Sequence, residues 1–522
     1  MLPSQKHFQG GKIVQLIAEM RKFNIKVILQ LMGILLLFNG GFMLISALVS
    51  LYYDDGALEG ILLAGIVTLT LGLILRFATK GFKKSIKKRE GYLVVSLGWI
   101  TMSLSGALPY MFSGAIPSFT DAFFETMSGY TTTGASILQD IEIIPRSILF
   151  WRSTTHWIGG MGIIVLAIAI LPLLGIGGMQ MFAAEAPGPS ADKLHPRITD
   201  TAKRLWLLYF GLTLVEAILL KLAGMGYFDA VNHAMSTLST GGFSTKNASV
   251  AHWNDAPLIQ YIISFFMLVA GTNFVLTYFA VKGRFKQYFR DEEFKFYFIA
   301  ILGITLITTL GIYFYADVSR VPTEVQAIAH PMVNGELESS FRHALFQVLA
   351  VITTTGFVTA DFTVWTPFLK VLFFLMMFLG ASAGSTAGGV KIVRHIIMIK
   401  NGFLEFKRSL HPSGIIPVRY NDKPVTRGIV FNIMAFFILY LIIFAIGALV
   451  FSFMDIDYVT AMGAAASSLG NVGPAFGDLS PVNNYSSLPV FGKWWSAMLM
   501  LFGRLELFTI LIIFTPYFWR NN

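Results

Sequence analysis

Four short stretches decide how this chain is read: Thr131-Thr132-Thr133-Gly134, Ser239-Thr240-Gly241-Gly242, Thr353-Thr354-Thr355-Gly356 and Gly470-Asn471-Val472-Gly473. They lie in segments 120–136, 228–244, 342–359 and 457–476, which are shorter and more polar than their surroundings and rich in Gly, Ser and Thr. The terminal glycines are 108, 114 and 117 residues apart. Twelve residues before each glycine stands an alanine: Ala122, Ala230, Ala344 and Ala461. Each segment has a long apolar run before it and another after it. The unit is a span, a short re-entrant helix, a glycine turn and a second span, repeated four times. A single TTTG or STGG is ordinary turn chemistry. Four in register at matched topological positions need another explanation.

Outward from these turns, uninterrupted apolar spans are expected near 27–52, 57–78, 91–112, 147–173, 203–224, 257–281, 295–315, 365–399, 427–453 and 493–519. The 522 residues are 55% hydrophobic and only 13% charged, against roughly 25% charged in soluble domains. Soluble enzymes and disordered proteins are excluded. The absence of Cys excludes disulfides, thiolate metal sites and cysteine nucleophiles. The net charge of +10 speaks to topology rather than to nucleic acid. If the four short segments enter and return on one side, 30 of the 39 Lys and Arg share one face, counted over 1–26, 76–89, 193–204, 282–295, 391–427 and Arg520. By the positive-inside rule that face, with both termini, is cytoplasmic. The expected organisation is an N-terminal tail and two extra transmembrane helices (1–90), then repeats at 91–200, 201–294, 295–424 and 425–522. The fold class is all-α polytopic membrane protein.

Irregular backbone at membrane depth is tolerated only where protein buries it or where it lines a water-filled path. Four helices whose C-termini converge on one axis direct negative dipole ends at it, which favours a cation. The strands that follow can present rings of carbonyls in place of a hydration shell. Asp121 and Asp229, near the helix starts, suit the positive dipole end.

These residues resemble the TrkH-type subunits of the Trk/Ktr/HKT family of potassium transporters, over roughly 30–519. The blocks that carry the resemblance include MSGYTTTGAS (127–136), FWRSTTHWIGGMGIIVLAIAILPLLGIGGMQ (150–180), EAPGP (185–189), LSTGGFSTKNAS (238–249), GASAGSTAGGVKIVR (380–394) and GNVGPAFG (470–477). Further blocks are TAKRLW (201–206), FRDEEFKFY (289–297) and TTTGF (353–357). The resemblance implies four M1–pore-helix–M2 repeats around one pseudo-fourfold pore, and the two extra N-terminal spans match the TrkH branch. It implies a K⁺ selectivity filter at Thr132, Thr133, Gly134, Thr240, Gly241, Gly242, Thr354, Thr355, Gly356, Asn471, Val472 and Gly473. K⁺ would be held by Thr132, Thr133, Thr240, Gly241, Thr354, Thr355, Asn471 and Val472, largely through backbone carbonyls. The fourth repeat departs from the Thr-rich pattern. In plant relatives Ser at the first-repeat glycine goes with sodium preference, so Gly134 favours potassium.

Two features interrupt the later spans. Residues 380–389 are all Gly, Ala, Ser or Thr, and their four glycines each lower helix stability by roughly 1 kcal/mol. The stripe Gly380/Gly384/Gly388 reads either as a close helix–helix contact or as a flexible loop. The resemblance implies the loop: a gate beneath the filter built from Gly380, Ser382, Gly384, Ser385, Thr386, Gly388 and Gly389. Arg504 lies about 16 to 22 Å from either end of its expected span, beyond snorkelling range. An ionisable group at that depth is a functional hypothesis. It is expected as part of the gate, a barrier below the filter, against the alternative of an ion pair with Glu506 or Glu216.

Arg152 and His156, spaced i, i+4, are expected to anchor the pore mouth. Gly175-Ile176-Gly177-Gly178 has no preceding strand and reads as a bend after Pro172, not a nucleotide loop. No catalytic or metalloenzyme cluster stands out. The implied function is K⁺ uptake, with Rb⁺ also accepted, across a prokaryotic inner membrane through a gated, channel-like pore. The resemblance further implies a homodimer with one pore per chain, a cytosolic Trk-type regulatory ring carrying nucleotide-binding domains, membrane lipid as surroundings, and no covalent cofactor or nucleic acid. The competing readings are a Na⁺- or H⁺-coupled K⁺ symporter, a Na⁺-permeable transporter of the same fold, or a membrane enzyme or structural subunit without a pore.

Overall fold

The computed structural model describes residues 24–81, 88–165, 198–315 and 335–519. The blocks at 166–180 and 185–189, the bend after Pro172 and Arg520 lie outside them. A helical hairpin, α1 (Ile25–Tyr53) and α2 (Leu58–Ala78), comes first. It is followed by α3 (Lys88–Gly106), α4 (Phe119–Tyr130), α5 (Arg146–Val165), α6 (Ile198–Leu222), α7 (Tyr227–Leu238), α8 (Pro257–Ala270) and α9 (Phe274–Val281). Then come α10 (Glu292–Tyr315), α11 (Glu336–Ile352), α12 (Pro367–Met376), α13 (Ile392–Leu410), α14 (Arg427–Phe453), α15 (Tyr458–Gly470), α16 (Val490–Arg504) and α17 (Phe508–Leu511). The strands among the described residues are a two-residue antiparallel pair, Arg419–Tyr420 with Lys423–Pro424. The fold is an all-α polytopic membrane protein.

Six helices among the described residues are long and apolar enough to cross a membrane, and up to eight if two bent pairs each count as one span. Those pairs correct the expectation of uninterrupted spans at 257–281 and 493–519. The first breaks between α8 and α9 with a 111° bend, the second after α16 with a 110° bend. At the first break Asn273 caps α9 by accepting from Val275 N. At the second, Glu506 and Leu507 sit at φ 55° and 50°. Two other expected spans fall on α5 and on the interrupted pair α12/α13, where α13 continues to Leu410 instead of stopping near 399.

The four short helices α4, α7, α11 and α15 are the re-entrant elements. Their alanines Ala122, Ala230, Ala344 and Ala461 are all buried, which explains why a small residue recurs there. Three of the short helices also pack against the helix closing the preceding repeat: α7 on α5, α11 on α8, and α4 on α16. The last of these joins the fourth repeat back to the first. The N-terminal hairpin is tight because glycines face each other, with Gly33 and Gly72 each too close to the other's backbone for an added Cβ to fit easily. It supports the first repeat through a buried amide. Asn39 donates to Ser105 Oγ at 2.8 Å and accepts from Tyr130 OH at 2.5 Å, where α4 ends.

Candidate ion-conducting site

The four turns share one geometry. In each, a backbone N–H (Thr132, Thr240, Thr354, Asn471) bonds the carbonyl three residues back at 2.9–3.4 Å. The next N–H (Thr133, Gly241, Thr355, Val472) bonds the carbonyl five residues back at 2.8–3.0 Å. This is a Schellman C-cap, whose left-handed position is normally Gly. Here Thr132, Thr240 and Thr354 occupy it at φ 51°, 55° and 55°, strained for a β-branched residue. Strain of this kind persists only where surrounding structure over-determines it. The departure in the fourth repeat now has a reason: Asn471 takes the left-handed position at φ 53°, which Asn tolerates better than Thr. Its amide also donates to Thr133 Oγ1 at 3.0 Å and Met500 O at 2.8 Å. Asn471→Ala should therefore lose about 2–4 kcal/mol: ~1 for the backbone and ~0.5–1.5 for each buried bond. Thermal unfolding in detergent measures this loss, and a wild-type midpoint would contradict it.

The glycines that follow bring the four repeats into a ring. Gly134, Gly242, Gly356 and Gly473 have φ of 81°, 80°, 74° and 99°. A Cβ on Gly134 would lie 2.2 Å from the carbonyl oxygen of Gly241, and one on Gly242 1.9 Å from that of Thr355. A Cβ on Gly356 would lie 2.3 Å from that of Val472, and one on Gly473 2.6 Å from that of Thr133. The contacts run repeat 1 to 2, 2 to 3, 3 to 4 and 4 back to 1. That is a closed cycle. Among the described residues, the carbonyls of 132–133, 240–241, 354–355 and 471–472 accept no hydrogen bond, although all these residues are buried. Buried acceptors are rarely left without a partner. All twelve sequence-predicted filter residues are thus brought together, and a cavity above them is lined by residues of all four repeats, among them Gly134, Ser136, Gly242, Ser244, Gly356 and Gly473.

Residues 377–391 between α12 and α13 form a non-helical loop rather than a helix–helix contact. It lies against the ends of the short helices. Thr386 Oγ1 donates to Leu238 O, the last residue of α7, at 2.9 Å. Gly388 N donates to Thr354 Oγ1 at 2.7 Å, and the Cα of Gly388 lies against Gly470 and Asn471. The loop also fills the break in the second repeat: Ser382 N bonds Gly271 O, and Phe274 N bonds Gly384 O. Gly384 and Gly389, at φ 71° and 67°, are its left-handed positions, and Gly380 N bonds Val390 O across its base. Ser385 Oγ closes a local turn onto Ser382 O. Glu293 on α10 accepts from Ala383 N at 2.9 Å and Val393 N at 3.1 Å.

Arg504 is the last residue of α16, not the middle of a straight span, and is 2% exposed. Its NH1 donates to Thr386 O at 2.8 Å and its NH2 to Gly159 O at 3.2 Å. The ion-pair alternative does not describe it: Glu506 pairs instead with Arg394 at 2.5 Å, and among the described residues Glu216 makes no ion pair with Arg504. Gly159 in turn lies against Tyr130 O at the end of α4. Arg504 therefore ties the loop to the remaining short helix, so the loop and its tether reach all four. Sequence reasoning missed Glu293, Arg394 and the helix break at Thr272-Asn273. Two polar residues inside an apolar run were the available signal for the break. Asp121, expected as a helix-start charge that would also attract cations, bonds Lys493 at 2.6 Å across repeats 1 and 4.

In this all-α membrane protein four turns thus close one ring of carbonyls that accept no hydrogen bond among the described residues, an arrangement whose chemistry suits a cation. The chain belongs to the TrkH family of cation transport proteins, whose family model matches residues 58–520. The Trk system potassium uptake protein TrkH of Halomonas elongata is 38% identical over 501 residues, covering 95% of this chain and 100% of that protein. The Trk system potassium uptake protein TrkG of Escherichia coli is 32% identical over 505 residues, covering 96% and 100%. The crystal structure of the potassium transporter TrkH from Vibrio parahaemolyticus superposes with a TM-score of 0.84 at 36% identity, covering 95% of this chain and 100% of that one. This is a family of transport proteins, not of enzymes.

Proposed function

We propose that the protein carries K⁺ inward across a prokaryotic inner membrane through a gated, channel-like pore, with both termini cytoplasmic. The observation that carries this reading is the closed cycle of Thr133, Gly241, Thr355 and Val472 carbonyls, which accept no hydrogen bond among the described residues. Eight backbone oxygens in two layers replace the hydration shell of a K⁺ ion, which binds at Thr132, Thr133, Thr240, Gly241, Thr354, Thr355, Asn471 and Val472. The four helix C-termini add their negative dipole ends. The loop carrying Gly380, Ser382, Gly384, Ser385, Thr386, Gly388 and Gly389 blocks the path beneath the ring and opens to let ions through, with Arg504 holding it shut. A cytosolic nucleotide-binding ring controls opening, and two chains pair, each with its own pore. The basic helix α13 follows directly from the loop, so a partner that grips Lys400, Lys407 or Arg408 pulls on the gate.

Flux of ⁸⁶Rb⁺ into proteoliposomes, with K⁺ and Na⁺ as competitors and an imposed pH gradient, tests transport and separates it from coupled symport. Flux displaced equally by Na⁺ and K⁺ would defeat the selectivity claim. The gate has its own test. Deleting residues 382–388 should raise flux in the absence of any partner protein, because the deletion removes the obstruction and leaves the ring. Flux at the unstimulated level from a folded deletion variant would make the loop a packing device.

A further inference from the structure

Behind the first turn lies a buried ion pair that belongs to none of the ring, loop or tether. Glu125 on α4 is fully buried and Arg152 on α5 is 2% exposed. Arg152 Nε donates to Glu125 Oε1 at 2.6 Å. The other oxygen, Oε2, accepts from Ile137 N at 2.9 Å, and Ser136 Oγ donates to Oε1 at 2.9 Å. Glu125 therefore holds the strand that leaves Gly134. The outer edge of Arg152 faces the next repeat: NH1 donates to Ser244 O at 2.9 Å, two residues beyond Gly242. Its guanidinium also lies 3.6 Å from the ring centroid of Phe243, on which His156 stacks at 3.8 Å. The His156 ring in turn bounds Gly241, where a Cβ would meet the imidazole at 2.2 Å. On its other side the first strand is fastened to repeat 4, since Ser136 O accepts from Tyr485 N at 2.7 Å.

We propose that Glu125 and Arg152 form a specificity-determining brace that fixes the separation of the repeat 1 and repeat 2 strands, and with it the width of the carbonyl ring at the Gly134–Gly241 junction. The proposal rests on the filter reading above and deepens it. Three features favour it over simple anchoring of the pore mouth. Both charges are buried, so the pair is held by its geometry and not screened by water. A planar guanidinium bonds two acceptors from two edges at a set distance, which a flexible ammonium cannot do. The pair reaches extended segments of two different repeats, each two residues past a ring glycine: Ser136, whose hydroxyl donates to Glu125, and Ser244, whose carbonyl accepts from Arg152. These are positioning residues, acting on the ion through the backbone.

The test is the K⁺ over Na⁺ preference of ⁸⁶Rb⁺ uptake in proteoliposomes, measured beside thermal stability for Arg152→Lys, Arg152→Gln, Ser136→Ala and Gly134→Ser. Arg152→Lys keeps the buried charge beside Glu125 and loses the bond to Ser244 O. It should lose less thermal stability than Arg152→Gln while the preference falls about tenfold, the scale set by one charged hydrogen bond. Arg152→Gln leaves Glu125 buried and uncompensated, so its preference falls together with its midpoint. Ser136→Ala removes one bond to Glu125 and no charge, and should shift the preference severalfold less in the same direction. A wild-type preference in both Arg152→Lys and Ser136→Ala, with a reduced one in Gly134→Ser, overturns the brace and leaves the filter standing. A wild-type preference in all three removes the filter reading and the brace with it.

Discussion

Gly134→Ser is expected to lower the K⁺ over Na⁺ preference by about tenfold or more, equivalent to ~1.4 kcal/mol or more between the two ions. Two independent penalties meet at this residue. At φ 81° any side chain is strained, by roughly 1–2 kcal/mol. The new Cβ would also fall 2.2 Å from the Gly241 carbonyl oxygen, far inside non-bonded contact distance, so that carbonyl must move. A ring that selects by the number and placement of its oxygens loses discrimination when one of them shifts. Gly303→Ala is the control. It lies within α10 with nothing within 4 Å of its would-be Cβ, so the change should leave selectivity untouched and slightly stabilise the helix. Competition by K⁺ and Na⁺ against ⁸⁶Rb⁺ uptake reads the difference. An unchanged preference in well-expressed Gly134→Ser would count against the filter.

Arg504→Ala should raise K⁺ flux severalfold or more. A fixed positive charge beneath the ring repels the permeating ion where screening is weak. At an effective dielectric of about 20 and about 6 Å, the repulsion is on the order of 3 kcal/mol. Each 1.36 kcal/mol removed from a rate-limiting barrier is tenfold in rate, though water and carbonyls shield part of it. The tether adds to this. The bonds from Arg504 to Thr386 O and Gly159 O are charged hydrogen bonds worth about 1.5–3 kcal/mol each, and both favour the closed loop. Arg504→Lys retains the charge but cannot span two carbonyls as a fork does. It should keep most of the electrostatic barrier and lose the tether, giving flux between wild type and Ala. Flux and thermal stability are measured together. A destabilised Ala variant with no gain in flux would assign Arg504 a purely structural role.

Much of the architecture was legible in the residues themselves. Hydropathy, basic-residue placement and the glycine period are properties of short windows and of their spacing, so the four repeats and the all-helical membrane fold could be read without coordinates. The turns were legible for the same reason, since Thr and Gly at a helix C-terminus act within six residues. Even the odd fourth turn followed local chemistry, once its Asn was seen to occupy the left-handed position.

Contacts between distant residues were not legible. The bends after Ala270 and Arg504 sit in runs whose average hydropathy is that of a straight helix, and only neighbouring backbone and side chains reward the break: Gly384 against Asn273 at one, Arg394 against Glu506 at the other. Arg504 offered two carboxylates as partners in the sequence, yet in the fold it bonds two backbone carbonyls, which carry no sequence signature. Spacing alone placed Arg152 and His156 at the pore mouth, while the Glu125 and Ser244 contacts, 27 and 92 residues away in sequence, depend on how two repeats meet. Four equivalent turns are evident from residue spacing. That each glycine faces the next repeat's carbonyl, and the last faces the first, emerges in the folded chain, because a ring is closed by packing between repeats and no local pattern encodes which neighbour comes next.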